Sequence, residues 1–155
     1  MQQPMSPKDC MAFALEVERA GALFYARMAT RFEGHAPLRE LLVSLAEDER
    51  LHEDMFARLF AAASTVGNSE PPDSSRFKAL ALHRFFVGPE APLANLDEIR
   101  SVPQMLRIAL EFERDTLESF EAMRQVLGDH VNLDAIDRLI EAERLHVERL
   151  EAFVR

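Results

Sequence analysis

The chain repeats itself. The hexapeptide Ala-Leu-Glu-Val-Glu-Arg at 14–19 returns as Ala-Leu-Glu-Phe-Glu-Arg at 109–114, and Glu-Arg-Leu-His at 49–52 returns unchanged at 143–146. The two offsets, 95 and 94 residues, nearly agree, so one helical hairpin is written twice. Each copy carries a Glu on its first helix and a Glu-x-x-His on its second. Together they supply four carboxylates and two imidazoles, the donor set of a two-metal site inside a four-helix bundle.

Local signals place the helices. Ser6 is a good N-cap, Pro7 suits the first helical position, and Asp9 completes a capping box, which predicts a first helix over about 7–33 closed by Gly34 and Pro37. A second is predicted over about 37–63, stopped by Gly67, Pro71 and Pro72. A third starts after Ser101, with Pro103 in its first turn, and ends at Gly128; a fourth follows a link at 129–132 and reaches the end of the sequence. No stretch alternates apolar and polar residues with β-branched enrichment, so no strand is predicted.

The expected fold class is all-α. Short links pair the first helix with the second and the third with the fourth, both antiparallel. The middle link, about 64–101, is long; Phe77, Leu80, Ala81 and Phe85 suggest a short amphipathic helix within it, ended by Gly88 and Pro89. One long link between two short ones is the crossover connection of a ferritin-like four-helix bundle. Neither hairpin would bury its seam alone, so residues 1–155 are expected to form a single domain, with hairpins over about 7–63 and 102–155.

The seams carry the chemistry. Steps of four and three select Met11, Leu15, Glu18, Ala22, Tyr25, Ala29 and Phe32 on the first helix, and Leu38, Leu42, Leu45, Glu49, His52, Phe56 and Leu59 on the second. They select Leu106, Leu110, Glu113, Leu117 and Phe120 on the third, and Ile136, Leu139, Glu143, His146, Leu150 and Phe153 on the fourth. Each seam is apolar except in its middle. Counted from the hairpin turns at ~1.5 Å per residue, Glu18 and Glu49 differ in height by only ~3 Å, and Glu113 is level with Glu143 and His146. The six polar groups should therefore meet. Buried, unpaired carboxylates cost several kcal/mol each and repel one another. Arg19, Arg50, Arg114 and Arg144 each follow a seam Glu directly, and a turn of about 100° takes them off the seam. Two divalent cations would balance four carboxylates in number and charge. Fe, Mn or a mixed pair suits these O and N donors.

Composition narrows the partners. A net charge of −9 argues against a nucleic-acid surface, and 48% hydrophobic residues against disorder. There is no uninterrupted apolar stretch for a signal peptide or a membrane span. One cysteine, Cys10, makes no internal disulfide and fits a reducing, cytoplasmic compartment; it reads as a small packing residue. Tyr25, seven residues past Glu18, would either hydrogen-bond a ligand or act as a redox neighbour, or else simply pack; Phe120 holds its place in the second copy. His35, His83 and His130 read as surface residues, and Glu47-Asp48-Glu49 as a solvated face from which only Glu49 turns inward. Arg84-Phe85-Phe86-Val87 is the candidate patch for a homodimer.

Glu18 with Tyr25, Glu49-Arg-Leu-His52, Glu113 and Glu143-Arg-Leu-His146 resemble the rubrerythrin branch of the ferritin-like superfamily over nearly the whole chain. The resemblance implies a di-iron centre held by Glu18, Glu49, His52, Glu113, Glu143 and His146, with Glu49 and Glu143 bridging, that reacts with hydrogen peroxide or dioxygen in defence against oxidative stress. Two features depart from that pattern. Full-length rubrerythrins add a four-cysteine rubredoxin-like domain, so electrons here would come from an external donor protein or a small reductant. Rubrerythrins also carry an extra ligand Glu one turn past the third-helix Glu, where Thr116 stands here. Two further readings use the same residues: a ferroxidase that oxidises iron and passes it on, and a non-enzymatic helical interaction module with a vestigial or zinc site.

Overall fold

A computed structural model describes residues 6–63, 85, 91–128 and 130–154. Among these residues the regular elements are four α-helices and two short 3-10 turns, α1 Pro7–Arg31, α2 Ala36–Ala61, α3 Val102–Leu127 and α4 Leu133–Val154, with the turns at Pro92–Ala94 and Leu96–Glu98. The helix starts follow the sequence chemistry. Ser6 Oγ accepts from Asp9 N at 3.1 Å, and Asp9 Oδ2 accepts from Ser6 N at 3.2 Å, so the first-turn donors are satisfied reciprocally. Ser101 Oγ accepts from Gln104 N at 3.2 Å, and Asn132 Oδ1 accepts from Asp134 N at 2.9 Å. α2 begins after His35 with no side-chain cap, and Pro37 supplies its first-turn geometry instead.

The helices pack as a square: α1 on α2, α3 on α4, α1 on α3 and α2 on α4. Named contacts give the directions. Arg149 Nη2 donates to Ser44 Oγ while His52 meets Glu143, so residue numbers rise along α2 as they fall along α4. Tyr25 reaches Glu113 while Arg31, at the end of α1, donates to Ile99 O just before α3. Both neighbouring pairs are antiparallel. Hence α2 and α3 point the same way, and the connection between them starts at one end of the bundle and finishes at the other. This is the ferritin-like arrangement.

α1 and α3 are buried more deeply than their partners. They bury 13 and 12 residues, against seven each on α2 and α4, so each presents a second apolar face beyond the seam. On α1 that face holds Phe13, Val17, Phe24 and Met28; on α3 it holds Met105, Ile108, Phe112 and Met123. The connection helps to cover it, since Phe85, Ala91 and Ile99 are buried. Phe85 meets Phe112 edge-to-face, with ring centroids 5.5 Å apart. This corrects the dimer-patch expectation at Phe85, which is a core residue. Arg84, Phe86, Val87, His83 and the rest of the anticipated short helix lie outside the described residues. Phe153 is 37% exposed, so the buried seam of α4 closes at Leu150. Phe112→Ala should destabilise the fold by about 3–5 kcal/mol in urea unfolding. Leu51→Ser, on the exposed side of α2, should change it by no more than about 0.5 kcal/mol.

Candidate metal centre

Each helix delivers its mid-seam polar residues into the space between all four. Glu18, Glu49, His52, Glu113, Glu143 and His146 are all buried, none more than 6% exposed. Glu143 lies between the two histidines: its Oε1 is 3.0 Å from His52 Nδ1 and its Oε2 is 3.3 Å from His146 Nδ1. Glu18 Oε2 lies 3.7 Å from His52 Nδ1. His146 Nδ1 is also 3.2 Å from Glu49 Oε1 and 3.4 Å from Glu113 Oε1. One nitrogen thus faces three carboxylate oxygens and is aligned for a hydrogen bond with none. The imidazoles stack, with centroids 5.3 Å apart. Glu49, His52, Glu143 and His146 each offer a donor atom, and these four atoms lie within 4.8 Å of one another. Such a quartet of O and N donors could hold a metal ion.

Several polar atoms here lack partners. Both oxygens of Glu18, one each of Glu49, Glu113 and Glu143, and His146 Nδ1 are buried without a hydrogen bond. Leaving so many buried acceptors unpaired is costly, and divalent cations would satisfy all of them together. The Arg residues that follow the seam glutamates do not neutralise them. Arg19 pairs with Glu53, Arg114 with Glu151, and Arg144 with Glu121 and Glu141, all on the outer surface.

Proton affinities reflect the crowding. Burial, and next the charge of Glu143, push Glu18 and Glu49 well above the usual carboxylate range; the same two causes raise Glu113. Glu143 goes the other way. Burial would raise it, but the His146 and His52 imidazoles beside its two oxygens outweigh burial and hold it ionised. His146 is raised, because the pull of Glu113, Glu143 and Glu49 overcomes its burial. In the absence of metal, protons therefore do the neutralising, with Glu143 as the carboxylate that keeps its charge.

Around this cluster stands a set of supporting contacts. Tyr25, for which the sequence left polar contact and plain packing open, donates its hydroxyl to Glu113 Oε1 at 2.6 Å. Burial and the Glu113 charge raise its own proton affinity, which keeps it a donor. Asp48 was missed by periodicity, which assigned it to the solvated face. Its Oδ2 lies 3.3 Å from His146 Nε2 and accepts from Arg149 Nη1 at 3.0 Å, and Arg149 also holds Ser44. Gly21 gives Glu49 room: a Cβ there would lie 3.2 Å from Glu49 Cδ. Cys10 is buried away from this chemistry, its thiol pushed up to about 12 chiefly by desolvation. His35 is exposed and His130 half-buried. No helix among the described residues is long and apolar enough to cross a membrane.

The family model for rubrerythrin matches residues 9–154. No curated protein and no solved structure matches the chain.

The raised glutamates set a pH dependence. Their folded-state proton affinity exceeds the unfolded value of about 4.5, so the stability these two groups contribute is full below that pH and is lost as pH rises through the folded values. Chelator-treated protein should melt at falling temperature from about pH 5 upward, and added Mn(II) or Zn(II) should flatten that slope. Tyr25→Phe removes the donor to Glu113 Oε1 and should cost about 1–2 kcal/mol in urea unfolding of the chelator-treated protein.

Proposed function

The chain belongs to the rubrerythrin family, and from that premise we propose that it is a di-iron oxidoreductase that acts on hydrogen peroxide or dioxygen. Glu18, Glu49, His52, Glu113, Glu143 and His146 would hold the metal pair. The observation that carries this reading is the placement of Glu143, whose two oxygens face two different imidazoles at 3.0 and 3.3 Å. A carboxylate so placed would hold the metal pair together with both imidazoles, and Glu49 reaches the same space from α2. The six donors carry four negative charges against the four positive charges of a ferrous pair, and O/N donor sets suit iron. When bound, a ferrous pair supplies two electrons, which with two protons reduce one hydrogen peroxide to two waters.

The protein's own groups prepare that event. With metal bound, Asp48 would accept the proton of His146 Nε2 and leave the Nδ1 lone pair to face the cluster. The Arg149 and Ser44 contacts keep Asp48 in place from outside. Tyr25 fixes one oxygen of Glu113 and so orients the other. Phe56 and Phe120, packed edge-to-face with centroids 5.3 Å apart, form part of the dry core. Exclusion of bulk water strengthens every electrostatic contact inside. Turnover would take its electrons from a separate reductant.

Anaerobic Fe(II) titration should saturate at two irons per chain, and one equivalent of peroxide should then produce the absorption band of a bridged ferric pair. A flat spectrum would overturn the reading, and oxidation of many Fe(II) per chain with retention of the product would assign the site to iron handling. Asp48→Ala should weaken metal affinity about 10–100-fold, read by competition with a chelating indicator, because it frees the ring that Asp48 orients.

A further inference from the structure

Thr116 is a buried hydroxyl without a partner: it is 2% exposed and its Oγ1 makes no hydrogen bond. A threonine inside a helix commonly satisfies its hydroxyl on a carbonyl one turn back. Thr30 of α1 does so, onto Ala26 O at 3.3 Å. Thr116 does not. The company it keeps is telling, because the other buried unpartnered side-chain atoms among the described residues all belong to the Glu/His cluster. A buried hydroxyl left unpaired in that company points to a partner that arrives from outside the chain.

The internal repeat locates the hydroxyl. Thr116 lies one turn after Glu113 and on the same face of α3, as Gly21 lies one turn after Glu18 on α1. The space at Gly21 borders the Glu49 carboxylate, 3.2 Å from its Cδ and 3.4 Å from its Oε2. The equivalent helical position in the second copy therefore borders the same cluster, and there the chain carries a hydroxyl where the first copy has only hydrogen. The other polar groups at this space are carboxylates, imidazoles and the Tyr25 hydroxyl, which is already spent on Glu113. A hydroxyl is uncharged, both donates and accepts, and does not repel an anion.

We propose that the Thr116 hydroxyl recognises the small polar ligand that enters the metal centre, hydrogen-bonding a peroxide, or a small anion in its place, on the α3 side of the cluster. This rests on the metal-centre reading given above. It makes the two copies unequal in function: the ligand is received beside α3, and the Gly21 side serves to accommodate Glu49.

Azide is the probe, titrated into the iron-loaded, oxidised protein and followed by its charge-transfer absorption, with iron content measured on every sample. Thr116→Val keeps the shape and removes the hydroxyl, and should weaken azide binding about tenfold at unchanged iron content. Thr116→Ser keeps the hydroxyl and should bind within about twofold of the parent protein. Chelator-treated Thr116→Val should melt no lower than the parent, because the hydroxyl it lacks had no partner within the chain. Unchanged azide affinity in Thr116→Val overturns the proposal, and so does an equal loss in Thr116→Ser, which would make shape the cause. A lower melting temperature for chelator-treated Thr116→Val also overturns it, since the hydroxyl would then be satisfied internally. If the parent protein takes up no iron, the metal-centre reading falls and this one with it; normal iron loading with no effect of Thr116→Val removes only the role of the hydroxyl.

Discussion

Four carboxyl groups held together in an apolar interior dominate the energetics of this bundle. Two like charges 4 Å apart repel by about 4 kcal/mol even at an effective dielectric constant near 20. A few such pairs would consume the entire net stability of a domain, about 5–15 kcal/mol. The fully ionised, metal-free cluster is therefore not an available state. Either protons occupy the site, as the raised affinities of Glu18, Glu49 and Glu113 indicate, or cations do. The same repulsion that threatens the fold supplies the driving force for metal uptake, and proton release must accompany it.

The bundle around this cluster is organised to keep it both dry and oriented. α1 and α3 are buried on two faces, with Phe85, Ala91 and Ile99 of the connection among the residues that cover them. α2 and α4 keep one face open to water, and their exposed side carries the Asp48, Arg149 and Ser44 contacts that reach in to His146. Apolar packing thus stands behind Glu18 and Glu113, and a set of polar contacts behind His146.

Duplication supplied the cluster, and divergence between the copies supplied its direction. Tyr25 corresponds to Phe120, Gly21 to Thr116 and Asp48 to Ala142. Each pair sets a polar group against one that lacks it. Tyr25 of the first copy spends its hydroxyl on Glu113 of the second, and Asp48 of the first copy holds His146 of the second. The first copy therefore supports donors of the second, which leaves the two ends of the cluster chemically distinct although the six inner residues repeat almost perfectly.

Helix limits, seams and the mid-seam position of six polar residues were legible in the sequence, because capping and 3.6-residue periodicity are local properties of a chain. The long middle link also revealed the topology, since a return along the bundle needs length. Asp48 and its contacts were not legible. Its partner His146 is 98 positions away, and the rotation and register that bring α2 and α4 together are set by packing across the bundle. Phe85 misled for a related reason: exposure of an aromatic depends on the second apolar faces of α1 and α3, which extend beyond the a/d stripe. The unpartnered state of Thr116 belongs to the same class. Sequence determined which groups lie on which stripe; the tertiary structure alone decided which of them face one another, because angular orientation between helices is a property of the assembled core and of no single segment.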